Sequence, residues 1–275
     1  MIPLTDDQLA AEAALLVGVP LTTRRRLLGG QHAVTLLVGD AADTRYVVRM
    51  FPEDDTAPAH EVQVLGGLDA LGALVPRVVT ADLERACPIL VTTHLPGSPP
   101  SPDLPLEVVA SEMARALAQI HSLSGHGLRT TPALPPPGTT AVARRARDAW
   151  GSLDLGDPVL THFDFWCGNT LWTGDALTGV VDWSGARRGP RGVDVAWCRQ
   201  DLVLLGSHRA ADVFLDEYRR RSGHPCYDVS AWDLQAAALA DPDVETWAEN
   251  YDGIGRPEIS ADVLRARLAR WQDYL

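Results

Sequence analysis

The hydrophobic spacing changes period several times along the chain, and each change marks an element. Thr5 and Gln8 stand at the positions of a capping box and predict a helix running to about Val17. Three short apolar runs follow, Arg24–Leu28, Val34–Val38 and Arg45–Phe51. They are parted by Gly29-Gly30 and by Gly39-Asp40-Ala41-Ala42-Asp43, and predict a three-strand meander. From Pro58 to Leu74 the spacing turns helical, with Val62, Leu65, Leu68 and Leu71 on one face. Val78–Ala81 and Ile89–Thr92 read as two further strands. Pro and Gly then concentrate in Leu95-Pro96-Gly97-Ser98-Pro99-Pro100, and beyond this break helices dominate. They are expected over Glu107–Ser122, up to about Trp150, and over Val193–Leu205, Ala210–Arg220, Ala231–Ala240 and Ala261–Tyr274. Between them, Gly174-Asp175 separates the runs Thr170–Thr173 and Leu177–Val181, which predict a hairpin. The expected fold is α+β in two lobes: residues 1–95, small and β-rich, and residues 96–275, larger and mostly helical, with a hinge about 93–98.

Composition narrows the function. Thirty-six acids against 24 bases leave a net charge of −12, which argues against a nucleic-acid phosphate surface as partner and favours a cationic ligand. Every base is arginine, so no mechanism can depend on a catalytic lysine. Cys87, Cys167, Cys198 and Cys226 show neither disulfide nor metal-ligand spacing and read as reduced thiols. The first residues, Met1-Ile2-Pro3-Leu4-Thr5-Asp6-Asp7, carry no basic n-region, so no export signal is expected, and no apolar run approaches the roughly 18 residues of a membrane span. The expectation is a soluble cytoplasmic protein without a membrane partner, a monomer or homodimer.

The chemistry concentrates in His162-Phe163-Asp164-Phe165-Trp166-Cys167-Gly168-Asn169 and in Val180-Val181-Asp182. The hairpin turn falls midway between Asn169 and Asp182, so folding it is expected to bring the amide and the carboxylate together at the open end. Such an oxygen pair suits a hard cation such as Mg²⁺, completed by substrate phosphates and water. Asp164 lies on the loop just before, free to face an incoming hydroxyl. That is an arrangement for phosphoryl transfer.

His-x-Asp with Asn five residues after the Asp, followed by a strand-borne Asp, also resembles the catalytic loop of kinases. With the trailing Gly189-Pro190-Arg191-Gly192-Val193-Asp194-Val195-Ala196, the sequence resembles the aminoglycoside phosphotransferase family of the protein-kinase-like superfamily. The resemblance implies a bilobal kinase-like fold with ATP or GTP as cosubstrate. It implies Asp164 as the catalytic base, Asn169 and Asp182 as Mg²⁺ ligands, His162 as a structural member of the loop and Asp194 as its brace. Arg49 takes the place where protein kinases carry lysine, with Glu61 as its partner; arginine forks two donors onto phosphate oxygens, so the exchange is physically reasonable. The Thr93 carbonyl and the Leu95 N–H are the candidates for meeting the purine. Gly30, Gln31 and His32 correspond to the phosphate-covering loop, though two glycines also suit an ordinary hairpin turn. The loop departs from the family's His-Gly-Asp by carrying Phe163, which implies a different packing of the loop rather than a lost reaction.

Between Asp241 and Glu258, six acids stand against one arginine, Arg256. Family members bind acceptor amines with acids in this region, which makes Asp241, Asp243, Glu245, Glu249 and Asp252 candidates for holding an aminoglycoside-like cationic antibiotic, as in resistance enzymes. An acidic surface in a −12 protein explains the same residues equally well. A macrolide, a peptide antibiotic or an amino-alcohol or sugar metabolite are alternative acceptors, and a non-catalytic ligand-sequestering protein is the rival of another class.

Overall fold

In the computed structural model, which describes residues 4–27, 33–130 and 134–275, the chain forms two units. One comprises Met1–Pro96 with Gly179–Gly185, the other Gly97–Thr178 with Ala186–Leu275. Gly179–Gly185, which carries Asp182 and was expected from chain order in the larger lobe, thus groups with the first unit.

The first unit opens with helix α1 (Asp6–Val17), closed at its start by the reciprocal Thr5–Gln8 capping box and ended by Gly18 at φ 81°. Strands β1 (Thr22–Leu27), β2 (Val34–Gly39), β3 (Arg45–Met50), β4 (Val78–Asp82) and β5 (Ile89–Thr93) form one antiparallel sheet in the order β1-β2-β3-β5-β4. Strand side chains alternate between faces. Leu36 and Val38, Val48 and Met50, Ile89 and Val91 accordingly share one face and form a core with Leu9, Ala10 and Ala13 of α1. Arg49, between Val48 and Met50, is therefore sent to the opposite face, toward Glu61 on helix α2 (Ala57–Leu65).

The helix expected over 58–74 stops at Leu65. Gly66-Gly67 follows, each glycine costing about 1 kcal/mol in a helix interior, and Asp69–Leu74 is a 3-10 segment broken at Gly72, φ 57°. The buried face is Pro58, Glu61, Val64 and Leu65, so Val62 does not take the inward position its spacing suggested.

The second unit is mainly helical: α3 (Leu106–Ile120), α4 (Ala141–Asp148), α5 (Gly192–Leu205), α6 (His208–Ser222), α7 (Val229–Ala240), α8 (Ala248–Gly253) and α9 (Ala261–Tyr274). Its β structure is two short ladders. The antiparallel pair β6 (Val159–Thr161) and β9 (Arg187–Gly189) escaped the sequence pattern, being three residues each; β7 (Thr170–Thr173) and β8 (Ala176–Val180) form the expected hairpin. Helix α5 is central, and most of its residues are buried, polar ones included. Buried Arg199 of α5 reaches Asp233 of α7 through Nε (3.1 Å) and the Ala211 carbonyl of α6 through Nη1 (2.7 Å), tying three helices together. Among the described residues no helix is long and apolar enough to cross a membrane.

The chain enters this unit through Gly97, φ 128°, and Ser98, which exchanges two backbone hydrogen bonds with Trp172 of β7 (2.7 and 3.2 Å). A Cβ at Gly97 would lie 2.9 Å from the Trp172 carbonyl oxygen. Gly97→Ala is expected to lower stability by about 1–3 kcal/mol, through an unfavourable φ and a backbone clash together. A urea melt checks this: the midpoint falls at unchanged m value, whereas an unchanged midpoint would show the turn relaxing freely.

Candidate active site

In the first unit, Arg49 holds two carboxylates. Its Nη1 lies 2.7 Å from both oxygens of Glu61, and its Nη2 lies 3.6 Å from Asp182 Oδ1. Glu61 is only 2% exposed. Burial pushes its carboxyl upward, Arg49 draws it back down, and Asp182 raises it again. A buried acid of this kind stays in place because its guanidinium partner is there. Asp182 sits in the left-handed region at φ 61°, and Ser184 Oγ donates to its Oδ1 at 2.9 Å. Next to it, buried Trp183 donates its indole N–H to the Val180 carbonyl (3.0 Å), fixing the chain on both sides of Asp182. At the end of β5, the Thr93 N–H donates to the Arg77 carbonyl (2.9 Å) and the His94 N–H to the Arg45 carbonyl (3.3 Å), after which Leu95 leaves the ladder. Gly30, Gln31 and His32 lie outside the described residues.

In the second unit, the loop from His162 to Asn169 connects β6 to β7 and is held by one face of α5. Asp194, Trp197 and Asp201 recur at i, i+3 and i+7, so they project from that helix on one side. Asp194 is fully buried and accepts the N–H of His162 (2.7 Å) and of Phe163 (2.8 Å). It also meets Nε2 of His121, on the far end of α3, at 3.1 Å, while His121 Nδ1 meets the Tyr218 hydroxyl of α6 at 2.7 Å. Burial depresses the His121 pKa, with the Asp194 carboxylate opposing. His162 is wholly buried and packs edge-on against Phe165.

Phe163 adopts φ 73°, a region that favours glycine. This explains the family's preference at the position that the resemblance brought up. The Arg187 guanidinium covers the Phe163 ring at 3.4 Å, packing the side chain that glycine lacks. On the far side of Asp164, the Cys167 N–H donates to Asp201 at 2.9 Å, and the Tyr251 hydroxyl of α8 donates to the same carboxylate at 2.9 Å. Burial first, then Asp201, pushes the Cys167 thiol well above its ordinary range, so it stays protonated and unreactive.

Between these anchors both oxygens of Asp164 are engaged. Asn169 Nδ2 donates to Oδ2 and to the Asp164 carbonyl, each at 2.9 Å, and Trp197 Nε1 donates to Oδ1 at 3.2 Å. Both Asn169 bonds use its nitrogen, which leaves the amide oxygen for another partner. Asp182 likewise spends Oδ1 on Ser184 and Arg49, and its side chain is 42% exposed. An amide oxygen and a half-exposed carboxylate are each the kind of hard donor that Mg²⁺ takes, so each residue's chemistry fits that ion. Among the described residues no group of three or more His, Cys, Asp or Glu is placed to hold a metal by itself.

The acidic candidates divide. Arg265 of α9 reaches Glu245 (2.5 Å) and both the carboxylate (3.1 Å) and the carbonyl (2.7 Å) of Asp241, and Gln272 adds a bond to Asp241 (2.9 Å). Asp241 and Glu245 are thus not free charges, because Arg265, 24 and 20 residues further along the chain, answers them. Asp243, Glu249 and Asp252 are exposed.

Residues 23–252 match the model of the phosphotransferase enzyme family. The chain belongs to that family. No curated protein matches this phosphotransferase. Its fold is shared with solved structures of low identity. One is a macrolide 2'-phosphotransferase from Brachybacterium faecium, 19% identical over 92% of this chain and 95% of that one, TM-score 0.66. Another is a spectinomycin phosphotransferase in complex with ADP and spectinomycin, 14% identical over 98% and 99%, TM-score 0.68. A third is a putative fructosamine-3-kinase from Thermobifida fusca, 20% identical over 96% and 100%, TM-score 0.60.

Sequence reasoning missed His121, Trp197, Asp201 and Tyr251 of this phosphotransferase. The His that closes the α3 pattern and the polar positions of an otherwise apolar α5 were the only signals available. Burial raises the Asp201 carboxyl to about 6 from 3.8, opposed by the Cys167 and Tyr251 hydrogen bonds. Between those values the folded protein keeps a proton that the unfolded chain releases, so Asp201's contribution to stability falls as pH rises to about 6 and is constant above. Asp201→Asn, which keeps an acceptor for the Cys167 N–H, is expected to gain about 1–3 kcal/mol relative to wild type between pH 4 and pH 8. Denaturation at both pH values checks it; a pH-independent difference would contradict the assignment.

Proposed function

We propose that this phosphotransferase moves the γ-phosphate of ATP or GTP to a hydroxyl of an amine-bearing small molecule, with an aminoglycoside-like antibiotic as the first acceptor class. The observation that carries the reading is Asp164: a carboxylate with both oxygens aimed by donors, on a loop whose N–H groups on either side are pinned by buried carboxylates. The nucleotide half draws support from the spectinomycin phosphotransferase that shares the fold and was crystallised with ADP.

In this mechanism the acceptor oxygen attacks the γ-phosphorus, the new P–O bond forms as the bond to the β,γ-bridging oxygen breaks, and Asp164 orients the hydroxyl and takes its proton. Arg49, held between Glu61 and Asp182, presents fixed positive charge to phosphate oxygens, so its stabilisation needs no reorganisation. Asn169 and Asp182 are the oxygen donors for Mg²⁺, which when bound neutralises charge on the nucleotide phosphates. His162 and Asp194 keep the loop in shape and take no part in proton transfer. Thr93 and Leu95 offer the backbone groups for the purine. A supply of nucleoside triphosphate makes the cytoplasm the site of action.

For a cationic acceptor, Asp243, Glu249 and Asp252 carry the attraction, aided by the net charge of −12. Because Arg265 already pairs with both Asp241 and Glu245 and reduces their charge, a less highly charged acceptor, such as an amino-sugar metabolite, is the second reading.

The test is nucleoside-diphosphate release from Mg-ATP and Mg-GTP across a panel of aminoglycosides, macrolides, cationic peptide antibiotics and amino-sugar or amino-alcohol metabolites. Asp164→Asn is expected to lower turnover by about 10²–10⁴-fold with nucleotide affinity nearly intact. Asp182→Asn should instead weaken Mg-nucleotide binding, read by titration calorimetry. An unchanged rate in the first variant would remove Asp164 as the base; equal affinity in the second would remove Asp182 from the metal site.

A further inference from the structure

Trp197 donates to Asp164 and has no part in the proposed chemistry so far. It lies on α5, midway between the carboxylates that pin the loop, and its Nε1 meets Asp164 Oδ1 at 3.2 Å. The indole is not free to choose another direction. It packs against the cluster of Ala196, Trp232 and Ala236, and the Trp247 ring lies against it with centroids 5.4 Å apart, tilted by 56°. Trp247 in turn stands one helical turn before Tyr251, whose hydroxyl bonds Asp201 and whose ring meets Trp166 of the catalytic loop at 5.7 Å. Segment 247–251 therefore backs the face of α5 that holds the loop at two of its three contact points.

We infer that Trp197 is a positioning residue for the reaction, its clamped indole N–H fixing the plane of the Asp164 carboxylate so that one oxygen is turned to the acceptor hydroxyl. The inference rests on the reading of Asp164 as the base. An indole nitrogen only donates, because its lone pair belongs to the aromatic π system and is not available to a proton, so it cannot replace or compete with Asp164 in the transfer. What it does is limit rotation about the Cβ–Cγ bond. Asn169 holds Oδ2 and Trp197 holds Oδ1, and two donors from different elements define a plane where one defines only a direction. The packing of the ring against Trp247 and the Ala196, Trp232 and Ala236 cluster means this orientation is set before substrate arrives.

Two measurements test it. In protein labelled with ¹⁵N at tryptophan, the eight indole signals are resolved and Trp197→Phe identifies one of them; Trp197→His serves for assignment should the phenylalanine variant not fold. Asp164→Ala is expected to move that signal upfield by more than any of the other seven, as the hydrogen bond is lost. An unmoved signal overturns the contact and with it the inference, whatever Asp164 does in catalysis. The second measurement is ADP release from Mg-ATP with water alone as acceptor. Trp197→Phe is expected to lower kcat roughly tenfold, the scale of one hydrogen bond to a charged group, with the KM for ATP unchanged. In the Asp164→Ala background the same substitution should cost nothing further, because its effect passes through the carboxylate. Equal losses in both backgrounds would show a structural role only, and no loss in either would remove Trp197 from the mechanism. Full activity of Asp164→Ala by itself would instead overturn the base assignment, so the two failures are distinguishable.

Discussion

The hydrogen bonds from the His162 and Phe163 N–H groups to Asp194 are the contact on which the geometry of the His162–Asn169 loop depends. A wholly buried carboxylate is costly unless its lone pairs are filled, and here two successive amides and an imidazole fill them. The cost of burying the charge makes the geometry obligatory: if the loop moved, Asp194 would lose its donors. That obligation also holds Phe163 at a positive φ, where a side chain other than glycine is strained, and the Arg187 guanidinium compensates by packing the ring. Asp201 repeats the device two turns later on the same helix, at Cys167. Asp164 lies between two buried acids of α5, and its position follows from theirs.

In the first unit the same physics runs with the signs exchanged. Arg49 is the fixed charge, and the carboxylates of Glu61 and Asp182 are placed around it. The strand alternation that gives Val48 and Met50 to the α1 core obliges Arg49 to face the other way. Packing thus decides where the charge goes before any electrostatic term is considered. A chain without lysine places here a cation whose planar fork can satisfy two carboxylate partners at once.

What could be read from the sequence and what could not divide along contact distance. The β1–β3 meander, the β7–β8 hairpin and α1 are specified by neighbours a few residues apart, through turn glycines, alternation and a capping box, and all were legible. Asp164, Asn169 and Asp182 stood out for the same reason, as a short spaced pattern. Helix α2 was overextended because periodicity alone ignored what Gly66-Gly67 costs a helix. Strands β6 and β9 are three residues each and pair across the whole catalytic segment, so no local signal marks them. His121 reaches Asp194 across 73 residues, Tyr251 reaches Asp201 across 50, and Arg265 answers Asp241 across 24. Such partners are chosen by tertiary packing, and only that packing shows that two of the acidic candidates are already spoken for.

The claim at the centre of this account is that α5 carboxylates, rather than the loop's own sequence, hold the catalytic loop in shape. Amide hydrogen exchange of His162 and Phe163, compared between wild type and Asp194→Asn, tests it most directly, with the β2 and β3 amides of the other unit as internal reference. The account predicts that both loop amides exchange as slowly as the core in the wild type and become fast in the variant, while the sheet amides keep their rates. Loop amides that stay equally protected in the variant would contradict it.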